Sequence, residues 1–254
     1  MAFTESIYQL KNTSALLLVG GMGTRLRSVV SSAPKPMATL AGKSFLELLV
    51  KQLSQQGVSR LVMCTGYLAD QIHAHFGEGK SWGISIEYSK ELEPLGTGGA
   101  VKLAESHLGD AEFFLVMNGD SFMEVDLDQL FHVHLEKKAI ITMAVRRVEN
   151  ASRYGAVELA GEGRITGFAE KTTAEMPGIV NAGVYVFSRE VLRDIPAGPC
   201  SLERDIFPKL LGKGMYAIEQ HGVFIDIGTP EDYAKAQEIS EKLYQAASPT
   251  QSAS

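Results

Sequence analysis

The chain of 254 residues has only two cysteines, Cys64 and Cys200, and neither belongs to a Cys-x-x-Cys pair. A disulfide framework is therefore excluded, and zinc-ribbon or thioredoxin-type chemistry has no ligand set. Long apolar runs are missing as well. The longest, residues 15–19 and 113–117, fall far short of the ~20 residues that span a bilayer, and the first thirteen residues lack the basic start and apolar centre of a secretory signal. Nor is there an excess of positive charge: 24 Lys+Arg stand against 30 Asp+Glu, a net charge of -6. No global field exists to hold a nucleic-acid backbone or an anionic membrane. These absences set the expectation of a cytoplasmic protein with no nucleic-acid and no membrane partner, in which any polyphosphate must be met by a local site. What is present, 45% hydrophobic and 8% aromatic residues, excludes disorder and collagen-like repeats and suits one folded domain.

In the first half, short apolar runs alternate with amphipathic segments. Strands are expected at 15–19, 61–64, 84–88, 113–117 and 140–145, each bounded by Gly, Asn, Asp or polar residues. Between them, Ser44 and Glu47 read as a capping box opening a helix whose Phe45, Leu48, Leu49 and Leu53 share one face. Further helices suit 68–76, 98–108 and 126–137. Strands linked by crossover helices imply an α/β fold with a Rossmann-like, mostly parallel central sheet, whose ligands sit at the carboxyl ends of the strands. After about Arg146 the pattern changes to strands at 156–160, 164–169, 179–187, 215–219 and 223–227, interrupted by helix only at 201–211, so a smaller mixed lobe is expected. A last helix starts at Thr229 as N-cap and Pro230 at its first position. Residues 1–246 are thus read as a single domain with lobes at about 14–146 and 147–228 and a terminal helix at about 230–246, followed by a disordered tail, 247–254.

The sharpest local feature is Gly20-Gly21-Met22-Gly23-Thr24-Arg25-Leu26, directly after the first apolar strand. Glycines let backbone N–H groups turn toward an anion, so the loop reads either as a phosphate nest or as a plain tight turn. Leu26 stands where a dinucleotide fingerprint needs its third Gly, and no Gly-Lys-Ser/Thr ending supplies a P-loop. His73/His75 and His132/His134, spaced by two, point to nearly opposite faces of a helix and are expected at the surface or its boundary rather than on a metal. Leu127, Leu130, Phe131 and Leu135 make an apolar stripe that reads as core.

The Gly-Gly-x-Gly-Thr-Arg-Leu loop followed by Pro34-Lys35-Pro36 resembles the signature of the sugar-phosphate nucleotidyltransferases. The resemblance extends to Glu93-Pro94-Leu95-Gly96-Thr97-Gly98-Gly99-Ala100, Asn118-Gly119-Asp120, Phe168-Ala169-Glu170-Lys171, Asn181-Ala182-Gly183-Val184-Tyr185 and Phe224-Ile225-Asp226-Ile227-Gly228-Thr229-Pro230, in the family's order over nearly the whole chain. Two further segments, 25–30 and 201–208, are most similar to the D-glycero-α-D-manno-heptose 1-phosphate guanylyltransferases, with the mannose 1-phosphate enzymes as near neighbours. Val19, Ser28 and Thr172 depart from residues common in the family, and Ser28 fits the heptose subgroup. The resemblance implies a GT-A-like fold, GTP and a sugar 1-phosphate as substrates, Mg2+ as cofactor and a role in bacterial capsule or surface polysaccharide.

Transfer of a nucleoside monophosphate to a sugar phosphate joins two polyanions, so the useful residues are cations, a metal and backbone donors rather than a general base. Arg25 and Lys35 suit the triphosphate, unless they are ordinary surface cations. Asp120 and Asp226, each read at the end of a strand and in separate lobes, supply the two carboxylates of a sparse magnesium set, unless they cap turns. Nucleotide recognition is assigned to Gly20, Gly21, Gly23, Thr24, Gly66, Gly96 and Thr97. By resemblance, Glu170 and Lys171 face the sugar phosphate, and Gly155 and Asn181 complete the sugar pocket. The alternatives are a mannose 1-phosphate guanylyltransferase, a glucose 1-phosphate uridylyl- or thymidylyltransferase, a catalytically dead nucleotide-sensing subunit, and a NAD-dependent oxidoreductase, which Leu26 weakens. A homodimer is the commonest arrangement for such a chain.

Overall fold

A computed structural model of the chain describes residues 10–26, 28–30, 33–152, 154–169 and 175–248. The disordered tail expected at 247–254 lies largely outside them, as do Glu170, Lys171 and Thr172. The first half builds β1 (Ser14–Leu18), a hairpin of β2 (Thr39–Leu40) and β3 (Lys43–Ser44), α1 (Phe45–Gln55), β4 (Arg60–Thr65), α2 (Ala69–Phe76), β5 (Ser85–Lys90), α3 (Gly96–Leu103), β6 (Phe113–Asn118), β7 (Ser121–Met123) and α4 (Leu127–Glu136). The second half adds β8 (Ile141–Val148), β9 (Ala156–Leu159), β10 (Ile165–Ala169), β11 (Gly178–Ser188), α5 (Phe207–Leu210), β12 (Met215–Glu219), β13 (Phe224–Asp226), α6 (Pro230–Glu238) and α7 (Ser240–Ala246). Strand and helix positions follow the apolar periodicity closely.

Nine of these strands form one sheet. Its parallel part has the spatial order β6-β1-β4-β5: the chain steps outward from β1 to β4 and β5, then returns to place β6 on the other side of β1. The carboxyl ends of β1 and β6 therefore diverge at a topological switch point, where an open α/β sheet forms its crevice. The mixed lobe is a continuation of this sheet, because β11 pairs antiparallel with β6 on one side and with β8 and β9 beyond.

Alternating side chains along the central strands feed two cores. Leu17, Met63 and Met117 face one together with α1 and α4, while Leu16, Val62, Phe114 and Val116 face the other together with α3 and α5. Both faces are covered, which explains why these strands read as continuous apolar runs. The capping box is present, with the Glu47 N–H donating to Ser44 Oγ at 3.2 Å and the Ser44 N–H to Glu47 Oε1 at 3.2 Å. Thr229 caps α6 by accepting the Asp232 N–H.

Five expectations are corrected. His134 is not a boundary residue but is 1% exposed, with Nδ1 2.9 Å from Thr142 Oγ1 and Nε2 3.1 Å from Ser188 Oγ. Burial pushes its pKa down to about 4, so it is a neutral core residue. It takes the place in the apolar stripe of α4 that had been given to Leu135, which is half-buried. The segment 201–211 opens as a π-type turn (Leu202–Ile206) before the single turn of α5. The terminal helix breaks at Ile239 into α6 and α7. Finally, the strand ending in Asp226 does not belong to the mixed lobe: β13 pairs antiparallel with β7, the short strand that follows Asp120.

Candidate active site

The loop after β1 and the turn after β6 border a cavity of about 520 Å³ at the carboxyl ends of the parallel strands. Gly20, Gly21, Gly23, Thr24 and Arg25 line it from the loop, with Arg25 in a short 3-10 turn (Thr24–Leu26). Lys35 enters from a second 3-10 turn (Lys35–Met37). Gly23 has φ +57°, and a Cβ there would lie 2.6 Å from Lys35 Cβ, so the loop approaches Lys35 only as glycine.

Asp120 and Asp226 are neighbours although they are far apart in sequence. Asp226 pairs in register with Ser121, and the Ile227 N–H donates to the Asp120 carbonyl at 2.9 Å. Lys35 Nζ donates to Asp120 Oδ2 at 2.7 Å, with its side chain only 10% exposed. Asp226 accepts the Gly228 N–H. Burial, then the charge of Asp120, push its carboxyl up to about 6 against the opposing pull of Lys35. Two carboxylates and an ammonium thus share one corner of the cavity.

The other end is built differently. Gly66 and Glu91 directly follow β4 and β5, and a Cβ on Gly20 or Gly66 would lie 2.7 or 2.6 Å from Glu91 Oε1. Glu91 is therefore wrapped by backbone. Its Oε2 accepts the Leu95 N–H at 3.1 Å, and no Lys, Arg or His among the described residues forms an ion pair with it. Burial holds its carboxyl above the ordinary range. Gly96 and Thr97 open α3 beside it. The helix N-terminus itself is taken, since the Cys200 carbonyl accepts the N–H groups of Gly98 and Gly99 at 2.8 and 3.1 Å.

Of the sugar-side residues, Asn181 Nδ2 donates to the buried Tyr185 hydroxyl at 2.6 Å and Asn181 Oδ1 accepts the Gly183 N–H. Asn181, Gly66 and Gly155 are not among the residues lining the cavity, and a Cβ on Gly155 would meet open space. Glu170 and Lys171 lie outside the described residues. Sequence reasoning missed Glu91 and Glu203, both of which line the cavity. Glu91 carried the same signal as Asp120, a first acidic residue beyond a strand; nothing in the sequence pointed to the orientation of Glu203.

Residues 14–242 match the nucleotidyl transferase family. The chain belongs to that family. This nucleotidyltransferase is 40% identical over 225 residues to a D-glycero-α-D-manno-heptose 1-phosphate guanylyltransferase of Aneurinibacillus thermoaerophilus, covering 88% of the chain and 96% of the relative. It is 39% identical over 225 residues to a mannose-1-phosphate guanylyltransferase of Mycobacterium tuberculosis, covering 87% of the chain and 62% of the relative. Among solved structures, it resembles HddC from Yersinia pseudotuberculosis in complex with GMP-PN, at a TM-score of 0.79 and 35% identity over 89% of the chain and 98% of that structure. A 20% identical thymidylyltransferase structure from Bacillus anthracis, with a TM-score of 0.80, shares the fold. Among the described residues of the nucleotidyltransferase, no helix is long and apolar enough to cross a membrane.

Proposed function

We propose that the nucleotidyltransferase is a guanylyltransferase that joins GTP and D-glycero-α-D-manno-heptose 1-phosphate, giving GDP-heptose and pyrophosphate for bacterial surface polysaccharide. It works in the cytoplasm, with residues 1–246 acting as one catalytic unit. The observation that carries the guanine assignment is Glu91, a carboxylate enclosed by the Gly20 and Gly66 backbone and in no ion pair among the described residues. Guanine presents N1–H and its exocyclic amine on one edge, two donors that match the two oxygens of a carboxylate. Uracil and thymine set a carbonyl beside their single N–H, so one Glu91 oxygen would face another acceptor. Both relatives named as guanylyltransferases support the same base.

At the opposite end, Asp120 and Asp226 would hold Mg2+. The fit rests on the converging carboxylates and on the Lys35 ammonium already lying against Asp120, and a two-carboxylate set leaves the remaining positions to phosphate oxygens and water, as magnesium prefers. When bound, the ion neutralises the phosphates of the nucleotide and polarises the α-phosphate. Arg25 and Lys35 screen the β- and γ-phosphates, and the Gly20–Gly23 backbone orients the chain of phosphates. An ionised oxygen of the sugar phosphate then attacks the α-phosphorus in line, the bond to the β-phosphate oxygen breaks, and pyrophosphate leaves with the charge that Lys35 follows. No side chain has to remove a proton. Lys171 meets the 1-phosphate, and Glu170, Asn181 and Gly155 meet the ring.

A matrix of four nucleoside triphosphates against heptose, mannose and glucose 1-phosphates, scored by pyrophosphate release, tests this. GTP with the heptose phosphate is expected to exceed GTP with mannose 1-phosphate by at least about a hundredfold in kcat/KM, since a site that pairs the extra hydroxyl leaves polar groups unpaired without it. Equal or better use of mannose 1-phosphate would move the assignment to the mannose enzyme, the activity named for the Mycobacterium relative. Preference for UTP or dTTP would remove the role given to Glu91.

A further inference from the structure

Four carboxylates border the cavity, Glu91, Asp120, Glu203 and Asp226, against the cations Arg25 and Lys35. A site that takes two polyanions keeps a carboxylate only where it meets a donor or a cation, because a carboxylate facing a phosphate repels it. Asp120 and Asp226 have Lys35, and Glu91 has the base edge. Glu203 is left over.

Its setting shows what it can meet. Glu203 stands in the π-type turn (Leu202–Ile206), an unusual geometry that often marks functional positions. Its Oε2 accepts two hydroxyls, from Thr97 Oγ1 at 2.8 Å and from Ser201 Oγ at 2.9 Å. Thr97 Oγ1 in turn accepts the Leu202 N–H at 2.8 Å, and Ser201 Oγ the Arg204 N–H at 3.2 Å. The carboxylate is thereby locked in direction from both sides. Both hydroxyl bonds fall on Oε2, and no hydrogen bond among the described residues uses Oε1, which leaves that oxygen of a cavity-lining residue for a ligand. Glu203 and Asn181 act on the same buried phenol: Asn181 donates to the Tyr185 hydroxyl, and the charge of Glu203 falls on it. That places Glu203 between Thr97, at the start of α3, and Tyr185 of β11.

We infer that Glu203 is a specificity-determining residue whose free Oε1 accepts a hydroxyl of the sugar ring carried by the sugar 1-phosphate. The inference rests on the reading of the chain as a sugar 1-phosphate guanylyltransferase. A vicinal diol also exists on the ribose of GTP, and the two sources are separable. Hydrogen bonding to a ring hydroxyl is made in ground and transition states alike, so its loss falls mainly on KM.

The test compares Glu203→Gln and Glu203→Ala with the wild-type enzyme. Gln keeps one acceptor oxygen for the Thr97 and Ser201 hydroxyls but turns a donor toward the cavity. For Glu203→Gln the KM for the sugar phosphate should rise at least tenfold with kcat within threefold, while the Kd for GTP with magnesium, measured by calorimetry without sugar, stays within twofold. Glu203→Ala, which also frees Thr97, should weaken both substrates. An unchanged sugar KM in Glu203→Gln overturns the inference. So does an equal loss for GTP and sugar, the mark of a residue that only ties the start of α3. Loss of discrimination between GTP and its 2′- or 3′-deoxy analogues, with the sugar unaffected, assigns Glu203 to the ribose and also overturns it. If the wild type prefers a different sugar 1-phosphate, the heptose assignment falls alone and the variants are scored with that sugar. If it turns over none, both readings fall.

Discussion

The two ends of the cavity solve opposite electrostatic problems with opposite materials. At one, Lys35, Asp120 and Asp226 crowd charged side chains into a corner where burial and mutual repulsion raise Asp226. At the other, Gly20 and Gly66 withdraw side chains altogether so that backbone can close around Glu91. Charge balance organises the first end. Steric absence organises the second, and a substitution that is mild at one should be damaging at the other.

The largest expected effect lies at the charged corner. Asp226→Asn should lower turnover by about a hundredfold or more, in the range seen when one electrostatic contact to a transition state is removed; unchanged turnover and magnesium dependence would make Asp226 a turn cap and dissolve the contrast. Lys35→Ala should lower turnover by roughly thirtyfold while weakening GTP binding by less than about fivefold, because charge on the departing pyrophosphate grows toward the transition state. Weaker binding with intact turnover would show that Lys35 only binds. At the glycine-lined end, Glu91→Gln should leave turnover at saturating GTP within about threefold and cut the preference for GTP over other triphosphates roughly tenfold. A matching fall in turnover for every base would mean that the two ends are not separate.

The smallest effect on turnover, none, is expected far from the cavity at His134. Its folded pKa of about 4 lies below the ordinary value of 6.5, so below pH 6.5 the unfolded chain binds a proton that the folded chain does not. Stability from this group is present above pH 6.5 and lost as the pH falls toward 4, by about 3 kcal/mol in full. Urea unfolding at pH 7 and pH 4.5 should therefore show a shallower pH slope in His134→Gln than in the wild type. Equal slopes would contradict a neutral buried imidazole.

What could be read in advance follows the same division. β1, β4 and β6 were legible because a strand covered on both faces must be apolar throughout, and Asp120 was legible because ligands gather where such strands end. The charged corner was found by residue type. Its assembly was not, since β7 and β13 are three residues each and their pairing is nonlocal, with no periodicity long enough to announce it. Glu91 was overlooked because the glycines that enclose it were read for what they would let a ligand do rather than for the side chain they admit. His134 was misplaced for a related reason: spacing from Leu127, Leu130 and Phe131 puts position 134 on the core face, and polarity was allowed to outweigh geometry. The bonds of Thr142 and Ser188 that satisfy it come from β8 and β11, beyond the reach of local pattern.

The β7–β13 pair also sets an order of events during synthesis. Asp120 leaves the ribosome about a hundred residues before the strand that completes its surroundings, and closing so long a loop is slow compared with forming the local βαβ units around it. The central sheet can therefore form while the charged corner is still half built. A nascent chain halted before residue 224 should hold its parallel strands and yet have no catalytic competence, and emergence of the segment that carries β13 should switch activity on in a single step.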